Sequence, residues 1–207
     1  PEKALLPLFP LEVVLLPNAL LPLHIFEPRY RKMVGDAIES ETEFGVLRRN
    51  EGSIEAVGCA ARVDRVIERY DDGRFDIETR GTRRFRANSL DHSEEVLRGV
   101  VEFFDDSSPA QADLSKVEAL LDAAKEVGKL TRSRSSETFE PNHPLLSFQV
   151  AAGLPVELKI KQELLESTSE IERVEMLTGY LRGVLDRFGE RKKLQRIAGT
   201  NGHSKLG

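Results

Sequence analysis

The most constraining feature of this chain is an apolar extended run that passes directly into an amphipathic helix. Residues 20–26 (LLPLHIF) end at Glu27 and Pro28. Proline disfavours helical backbone in the residue before it and suits the first turn of a helix, so a helix is predicted to begin at Pro28. Apolar residues then recur at helical spacing, at Tyr30, Met33, Val34 and Ala37. The segment is predicted to be a strand followed by a short helix that plugs one end of a sheet.

The first half of the chain, residues 1–106, is predicted to be mostly strand. Residues 54–70 are a strand candidate in which apolar and charged side chains alternate from Ala61 to Glu68 with one slip of phase, and this slip predicts a long strand with a bulge near Arg65 and Val66. The sequence DDG at 71–73 predicts a hairpin, because aspartate and glycine tolerate the backbone of tight turns. Gly81 is predicted to break the returning strand, which resumes at residues 83–87. Together these patterns indicate a barrel-like, mostly antiparallel sheet.

A change of composition at residues 105–109 (DDSSP) predicts a boundary, because serine followed by proline is a good start for a helix. Only helices are predicted after it, since apolar residues then keep helical spacing up to Phe188. The fold class is therefore predicted to be α+β. Residues 1–106 form a β lobe, residues 107–198 form a C-terminal helical bundle lobe, and residues 199–207 form a disordered tail.

Composition excludes several function classes. The net charge of −5 argues against a protein that binds nucleic acid through bulk charge, since such proteins carry a basic excess. A single cysteine, Cys59, excludes an intrachain disulfide framework and fits a reducing compartment. Prolines interrupt the apolar stretches, so none approaches the roughly 20 residues of a membrane span. The N-terminus lacks the pattern of a secretory signal. The protein is therefore predicted to be cytoplasmic, with no membrane partner.

Candidate peptide-binding residues lie at the junction of strand and helix: Phe26, Arg29, Tyr30 and Met33. Shallow peptide grooves use exposed apolar and aromatic groups ringed by polar ones. These side chains could line a cleft between the two lobes. Core packing is the favoured interpretation for Phe26 and Met33, whereas Arg29 and Tyr30 are expected to be freer to lie on the surface.

The densest basic run is a candidate anion site and consists of Arg80, Arg83, Arg84 and Arg86. A bend in the chain would let some of these converge on a phosphate or carboxylate. Alternation along a strand would instead scatter them and pair them with Asp76 and Glu78. The favoured interpretation is a solvated face.

No metal, cofactor or catalytic residue is predicted. His24 lies in an apolar strand three residues before Glu27, and ligation would need further ligands, so a structural histidine is favoured. Cys59 lies among small residues in a predicted strand, so a buried, unreactive thiol is favoured. The acidic residues between Asp36 and Glu43 lack the spacing of a metal site and are interpreted as a solvated helix end.

Short motifs follow one another along almost the whole chain, from about residue 5 to residue 190. They are LPLFPL at 6–11, LPL at 21–23, RY at 29–30, FGV at 44–46, VGCAA at 57–61, GTRRF at 81–85, LPV at 154–156 and KQ at 161–162. In order and spacing these motifs resemble the N-terminal, PUA-like domain of the ATP-dependent Lon proteases. The resemblance implies an N-terminal PUA-like pseudo-barrel followed by helices.

The resemblance also implies a function. Lon carries an ATPase module and a Ser-Lys protease module after this region, and this chain has no Gly-x-x-x-x-Gly-Lys-Ser/Thr loop for phosphates. A stand-alone, non-catalytic module that binds a polypeptide substrate or partner protein is therefore expected, as a monomer or a weak dimer. One alternative is an RNA-binding module of the PUA type. A less favoured alternative is a small-molecule enzyme with a pocket near His24 or Asp36.

Overall fold

The computed structural model describes residues 2–107, 112–133 and 139–201, and the side chains of these residues up to Leu194. In this part of the chain the fold is α+β, with six strands in one mixed, mostly antiparallel sheet and five helices. The chain divides into two compact units. The sheet unit comprises Pro1–Pro109 and Val156–Ser169, and the helical unit comprises Ala110–Pro155 and Glu170–Gly207.

The secondary-structure elements follow one another in a simple order. They are β1 Lys3–Leu11, β2 Leu20–Ile25, α1 Pro28–Glu39, β3 Phe44–Asn50, β4 Ser53–Arg69, β5 Phe75–Asp91, β6 Arg98–Phe103, α2 Leu114–Thr131, α3 Leu146–Gly153, α4 Leu158–Glu166 and α5 Glu170–Asn201. Helix α1 begins at the predicted proline, which occupies its first turn. None of the described helices is long and apolar enough to cross a bilayer.

The sheet is built around the two long strands β4 and β5. The strand order is β2-β5-β4-β3-β1-β6, and an additional pairing of β5 with β6 closes a ring of five strands. Strands β1 and β3 pair in parallel, whereas the other pairs are antiparallel. The register between β4 and β5 shifts near Arg65 and Val66, which confirms the predicted bulge. The predicted hairpin is also confirmed, with Gly73 at positive φ.

The prediction that Gly81 breaks the returning strand is wrong. Strand β5 runs without interruption from Phe75 to Asp91, pairing first with β2 and later with β6. Glycine is required at position 81 for another reason, because a Cβ there would collide with the main-chain carbonyl of Leu16. The main chain of the loop before β2 therefore packs directly on β5.

The core of the sheet unit gathers apolar side chains from several strands. Its central cluster comprises Leu6, Leu8, Leu47, Ala60, Phe85, Leu97, Val101 and Phe103. The rings of Phe85 and Phe103 meet edge to face at a centroid distance of 6.5 Å. Burial of these side chains is the main favourable contribution to folding of this unit.

The helical unit packs α2 and α3 against α5. Helix α3 begins after Leu145, whose side chain cannot accept a hydrogen bond from the first turn. Glu170 at the start of α5 takes over this role and accepts hydrogen bonds from the Ser147 N–H at 2.8 Å and the Ser147 hydroxyl at 2.7 Å. Arg173 is fully buried and pairs with Glu170 at 2.7 Å, so the negative charge is compensated.

The division into units places one long segment differently from the expected division, besides moving the boundary after β6 from residue 106 to Pro109. The sequence pattern grouped all residues from 107 to 198 in one helical lobe, whereas Val156–Ser169 belongs to the sheet unit. Within that unit, the Gln162 side-chain amide donates a hydrogen bond to the Val57 carbonyl at 3.1 Å. Helix α4 therefore packs on β4. Of the expected tail, residues 199–201 continue α5, and residues 202–207 lie outside the described residues.

Candidate functional site

A cleft of about 600 Å³ lies beside α1 in the sheet unit. One wall is a face of α1, on which residues recur at three- and four-residue spacing. It comprises Pro28, Arg29, Lys32, Met33, Asp36 and Ala37. The other wall is the segment that leads into β6, and it comprises Ser93, Glu94, Glu95, Val96 and Arg98. Pro7 and Thr42 complete the lining. All of these residues belong to the sheet unit, so the cleft is not the predicted one between two lobes.

The cleft combines an apolar floor with a charged rim. Met33 and Ala37 are buried and provide the aliphatic floor together with Val96. The rim carries three cations and three carboxylates, namely Arg29, Lys32, Arg98, Asp36, Glu94 and Glu95. Four of these six pair with one another, Lys32 with Asp36 at 3.1 Å and Arg98 with Glu94 at 2.9 Å, and Arg29 pairs with Glu27 outside the lining. The rim therefore has balanced charge, and the floor suits an apolar group.

Arg29 joins the two walls of the cleft. Its Nε and Nη2 atoms donate hydrogen bonds to Glu27 Oε2 at 3.0 and 2.8 Å. Its Nη1 donates to the main-chain carbonyl of Glu95 at 3.4 Å. The guanidinium carbon lies 4.6 Å from the centre of the Tyr30 ring, which is a cation–π distance.

The structure separates the four residues predicted to bind peptide. Arg29 and Met33 line the cleft, whereas Phe26 and Tyr30 do not. The expected burial of Phe26 and exposure of Tyr30 are reversed, because Phe26 is 58% exposed and Tyr30 only 7%. Phe26 follows the last paired residue of β2 and stacks on His24, with a centroid distance of 5.9 Å.

Tyr30 is buried because it lies on the inner face of α1. Its ring stacks on Phe9 of β1 at a centroid distance of 4.0 Å, and burial raises the pKa of its hydroxyl. Met33, also expected to be a core residue, is buried on the same helix. Tyr30 therefore supports Arg29 from below and is not itself part of the cleft lining.

Several lining residues were not anticipated from the sequence. Lys32 shares the helical spacing of Arg29 and Met33, so the amphipathic pattern of α1 contained a signal for it, and Asp36 had been named only for the less favoured enzyme alternative. The segment from Ser93 to Val96 carried no comparable signal. It reaches α1 through the pairing of β6 with β1 and β5, which joins residues far apart in the chain.

The predicted basic run does not converge on one site. Arg80 pairs with Asp64 at 2.6 Å, Arg83 with Glu2 at 2.7 Å, and Arg84 with Asp106 at 2.6 Å. Arg84 is only 5% exposed, while Arg86 is exposed on the same strand. The partners expected from the sequence are engaged elsewhere, Asp76 by His24 and Glu78 by Arg65. Anion binding by this run stays a prediction, and it would require breaking existing ion pairs.

Other chemically active side chains have structural partners. His24 Nδ1 lies 2.6 Å from Asp76 Oδ1, and the Tyr70 hydroxyl donates to Asp76 Oδ2 at 2.8 Å. These two hydrogen bonds hold the pKa of Asp76 below its ordinary value. The hydrogen bond from Tyr70 to Asp76 also raises the pKa of Tyr70 to about 12. Cys59 is fully buried, and burial raises the pKa of its thiol to about 12. Among the described residues, no group of three or more His, Cys, Asp or Glu could hold a metal ion.

Comparison with known proteins identifies the family. Residues 5–183 match the family model of the substrate-binding domain of the ATP-dependent protease La (Lon). The chain belongs to the Lon substrate-binding domain family. The matched residues include both walls of the cleft, so the cleft lies within the Lon substrate-binding domain.

The Lon relatives are much longer than this chain. Lon protease 1 of Syntrophobacter fumaroxidans is 26% identical over 196 residues, which cover 87% of this chain and 24% of the relative. Lon protease of Parabacteroides distasonis is 28% identical over 131 residues, which cover 59% of this chain and 16% of the relative. The chain therefore spans about a quarter or less of the length of these Lon proteases.

Solved structures of Lon domains share this fold. The crystal structure of a Lon N-terminal domain protein from Xanthomonas campestris aligns with a TM-score of 0.68 and 27% identity, covering 86% of this chain and 98% of that one. The N-terminal domain of Lon protease from the Mycobacterium avium complex aligns with a TM-score of 0.62 at 19% identity, a likeness of fold alone.

Proposed function

We propose that this Lon substrate-binding domain binds extended polypeptide segments in the cleft beside α1 and performs no catalytic step itself. The observation that carries the proposal is a cleft with an apolar floor and a charge-balanced rim inside a domain of a substrate-binding family. The floor of Met33, Ala37 and Val96 would take an apolar side chain of the bound segment. The hydroxyl group of Thr42 would be available to its main chain.

The proposal extends to architecture and location. The closed ring of five strands is the feature that supports a PUA-like pseudo-barrel. The buried face of α1, with Tyr30, Met33, Val34 and Ala37, supports its role as a plug helix. Packing of α2 and α3 on α5 supports a helical bundle. We place the module in the cytoplasm, because a single buried free thiol such as Cys59 suits a reducing compartment.

RNA binding is the weaker candidate. Binding to a phosphate backbone needs cations that are free to replace counterions over one surface. Arg80, Arg83 and Arg84 are each paired with a carboxylate, and the rim of the cleft holds as many carboxylates as cations. An uncharged apolar segment of polypeptide therefore suits the cleft better than a polyanion.

The test uses a fluorescein-labelled peptide of Gly, Ser and Thr with one central leucine. Fluorescence anisotropy should show binding that depends weakly on salt, and replacing the leucine with aspartate should weaken it by about tenfold or more. Ser93→Trp would fill the cleft from an exposed position and should abolish binding. Ser53→Trp, at the exposed start of β4, is the matched control and should bind as the wild type does. No binding by the folded wild type, or equal binding by both variants, would reject the proposal.

A further inference from the structure

We propose that Arg29 is a positioning residue that holds the second wall of the cleft, the segment from Ser93 to Val96, against α1. This inference rests on the proposed function and adds a residue that acts on the bound polypeptide indirectly. Arg29 would set the distance between the walls through the main chain of Glu95 and would not itself need to touch the ligand.

The first argument is how the guanidinium group is held. Two of its nitrogen atoms donate to one oxygen of Glu27, at 3.0 and 2.8 Å, and this fixes the plane of the group. Its face rests on the Tyr30 ring, which in turn stacks on the buried Phe9. The group is therefore anchored to the core on one side and to the start of α1 on the other.

The second argument is what remains for the third nitrogen atom. With Nε and Nη2 committed to Glu27, Nη1 points across the cleft and donates to the Glu95 carbonyl at 3.4 Å. This is a long hydrogen bond, so it can open while the other two hold. The acceptor belongs to the main chain, so the contact positions the wall whatever side chain residue 95 carries. Lysine could not reproduce it, because an ammonium group lacks the planar fork.

The same helix supplies a matched control. Arg31 lies two residues further along α1, and its Nη1 donates to the main-chain carbonyl of Asp72 at 2.5 Å. Arg31 therefore tethers the β4–β5 hairpin in the way that Arg29 tethers the wall of the cleft. It is absent from the lining of the cleft. Substitution of Arg31 should loosen the hairpin alone.

The experiment measures hydrogen exchange and peptide binding in Arg29→Gln, Arg29→Lys and Arg31→Gln. We expect both Arg29 variants to speed amide exchange in residues 93–97 by about threefold or more, with no change at residues 71–74. Arg31→Gln should do the reverse. Both Arg29 variants should also weaken binding of the leucine peptide by about three- to tenfold through faster dissociation, at an unchanged unfolding temperature. Glu27→Gln weakens the anchor of Arg29, so it should also speed amide exchange in residues 93–97 and weaken peptide binding, as the Arg29 variants do.

The two measurements separate the possible failures. Unchanged exchange at residues 93–97 in Arg29→Gln would overturn the positioning role, and loss of binding with unchanged exchange would show that Arg29 contacts the ligand directly. Wild-type binding by Arg29→Lys would likewise overturn it, since charge alone would then suffice. If the wild type bound no peptide, the proposed function would fail, while the exchange measurement would still decide whether Arg29 holds the wall.

Discussion

Arg84 of β5 and Asp106 form a largely buried ion pair in which Nη2 lies 2.6 Å from Oδ1. Arg84 Nη1 also donates to the main-chain carbonyls of Leu165 and Ser167, at 3.3 and 2.5 Å. One guanidinium group thus joins β5, the segment after β6 and the end of α4 within the sheet unit. The sequence suggested a solvated arginine at this position, and the structure makes it an internal tie.

Asp106→Asn should destabilise the sheet unit because it leaves the Arg84 charge buried without its carboxylate. Removing one partner of a buried pair costs about 3–5 kcal/mol, and the slight exposure of Asp106 favours the lower end of that range. Urea unfolding monitored by circular dichroism measures the change. Arg65→Gln breaks an exposed pair with Glu78 and should cost at most about 1 kcal/mol. Equal effects of the two substitutions would contradict a special role for Arg84.

Glu170→Ala should destabilise the helical unit by about 3–5 kcal/mol, because it removes a carboxylate that pairs with the buried Arg173 and accepts a hydrogen bond from the first turn of α3. Helix α3 should be less stable in this variant, and hydrogen exchange should show this as faster exchange of the amides from Ser147 to the end of α3. Glu175→Ala on the same helix removes an exposed partner of Lys116 and should cost at most about 1 kcal/mol. An unaltered unfolding midpoint in Glu170→Ala would show that the pair is dispensable.

Gly81→Ala should destabilise the sheet unit by about 1–3 kcal/mol, the usual range for overpacking, because the new methyl group would meet the Leu16 carbonyl. Main chain cannot yield as a flexible side chain can. Gly35→Ala on α1 is the opposite case, since no atom lies within 4 Å of its new Cβ. That change should stabilise the protein by up to about 1 kcal/mol through helix propensity. Thermal unfolding of the two variants should therefore shift in opposite directions.

The hydrogen bonds on Asp76 predict a pH dependence of stability. His24 and Tyr70 hold the pKa of Asp76 below its ordinary value of 3.8, so the folded state binds the proton less readily than the unfolded state. This contribution is complete above the unfolded pKa and is lost as the pH falls through the folded pKa. Urea midpoints of the wild type should therefore drop more steeply below about pH 4 than those of Asp76→Asn. If the urea midpoints of the two proteins fell in parallel as the pH is lowered, the hydrogen bonds on Asp76 would not contribute to the acid sensitivity of stability.

The raised pKa of Tyr70 predicts a loss of stability at alkaline pH. Its pKa is raised to about 12 by the hydrogen bond to Asp76. Its contribution to stability is therefore complete below the ordinary pKa of 10.0 and is lost as the pH rises from there through the folded pKa of about 12. Tyr70→Phe should flatten the alkaline loss of stability. The absorbance of tyrosinate provides an independent measure, because one of the tyrosines should then no longer titrate at the highest pH.

Local chemistry made part of this fold predictable. The proline at position 28, the DDG turn and the phase slip near Arg65 each act within a few residues, and the helix start, hairpin and bulge all occur where they were expected. Gly81 shows the limit of the same reasoning. A glycine can mark the end of a strand or a close approach of two main chains. Only the tertiary structure, which packs the Leu16 main chain against Gly81, distinguishes the two cases.

The order of motifs and the helical and strand periodicities were determined by the sequence alone, because they depend on neighbours along the chain, and they were sufficient to identify the family. Tertiary structure decided which side chains meet. Pairing of β6 with β1 and β5 brings Glu95 to Arg29, and stacking on Phe9 buries Tyr30 while Phe26 stays exposed. These contacts join residues that are distant in the chain, so their partners become fixed only when the sheet closes.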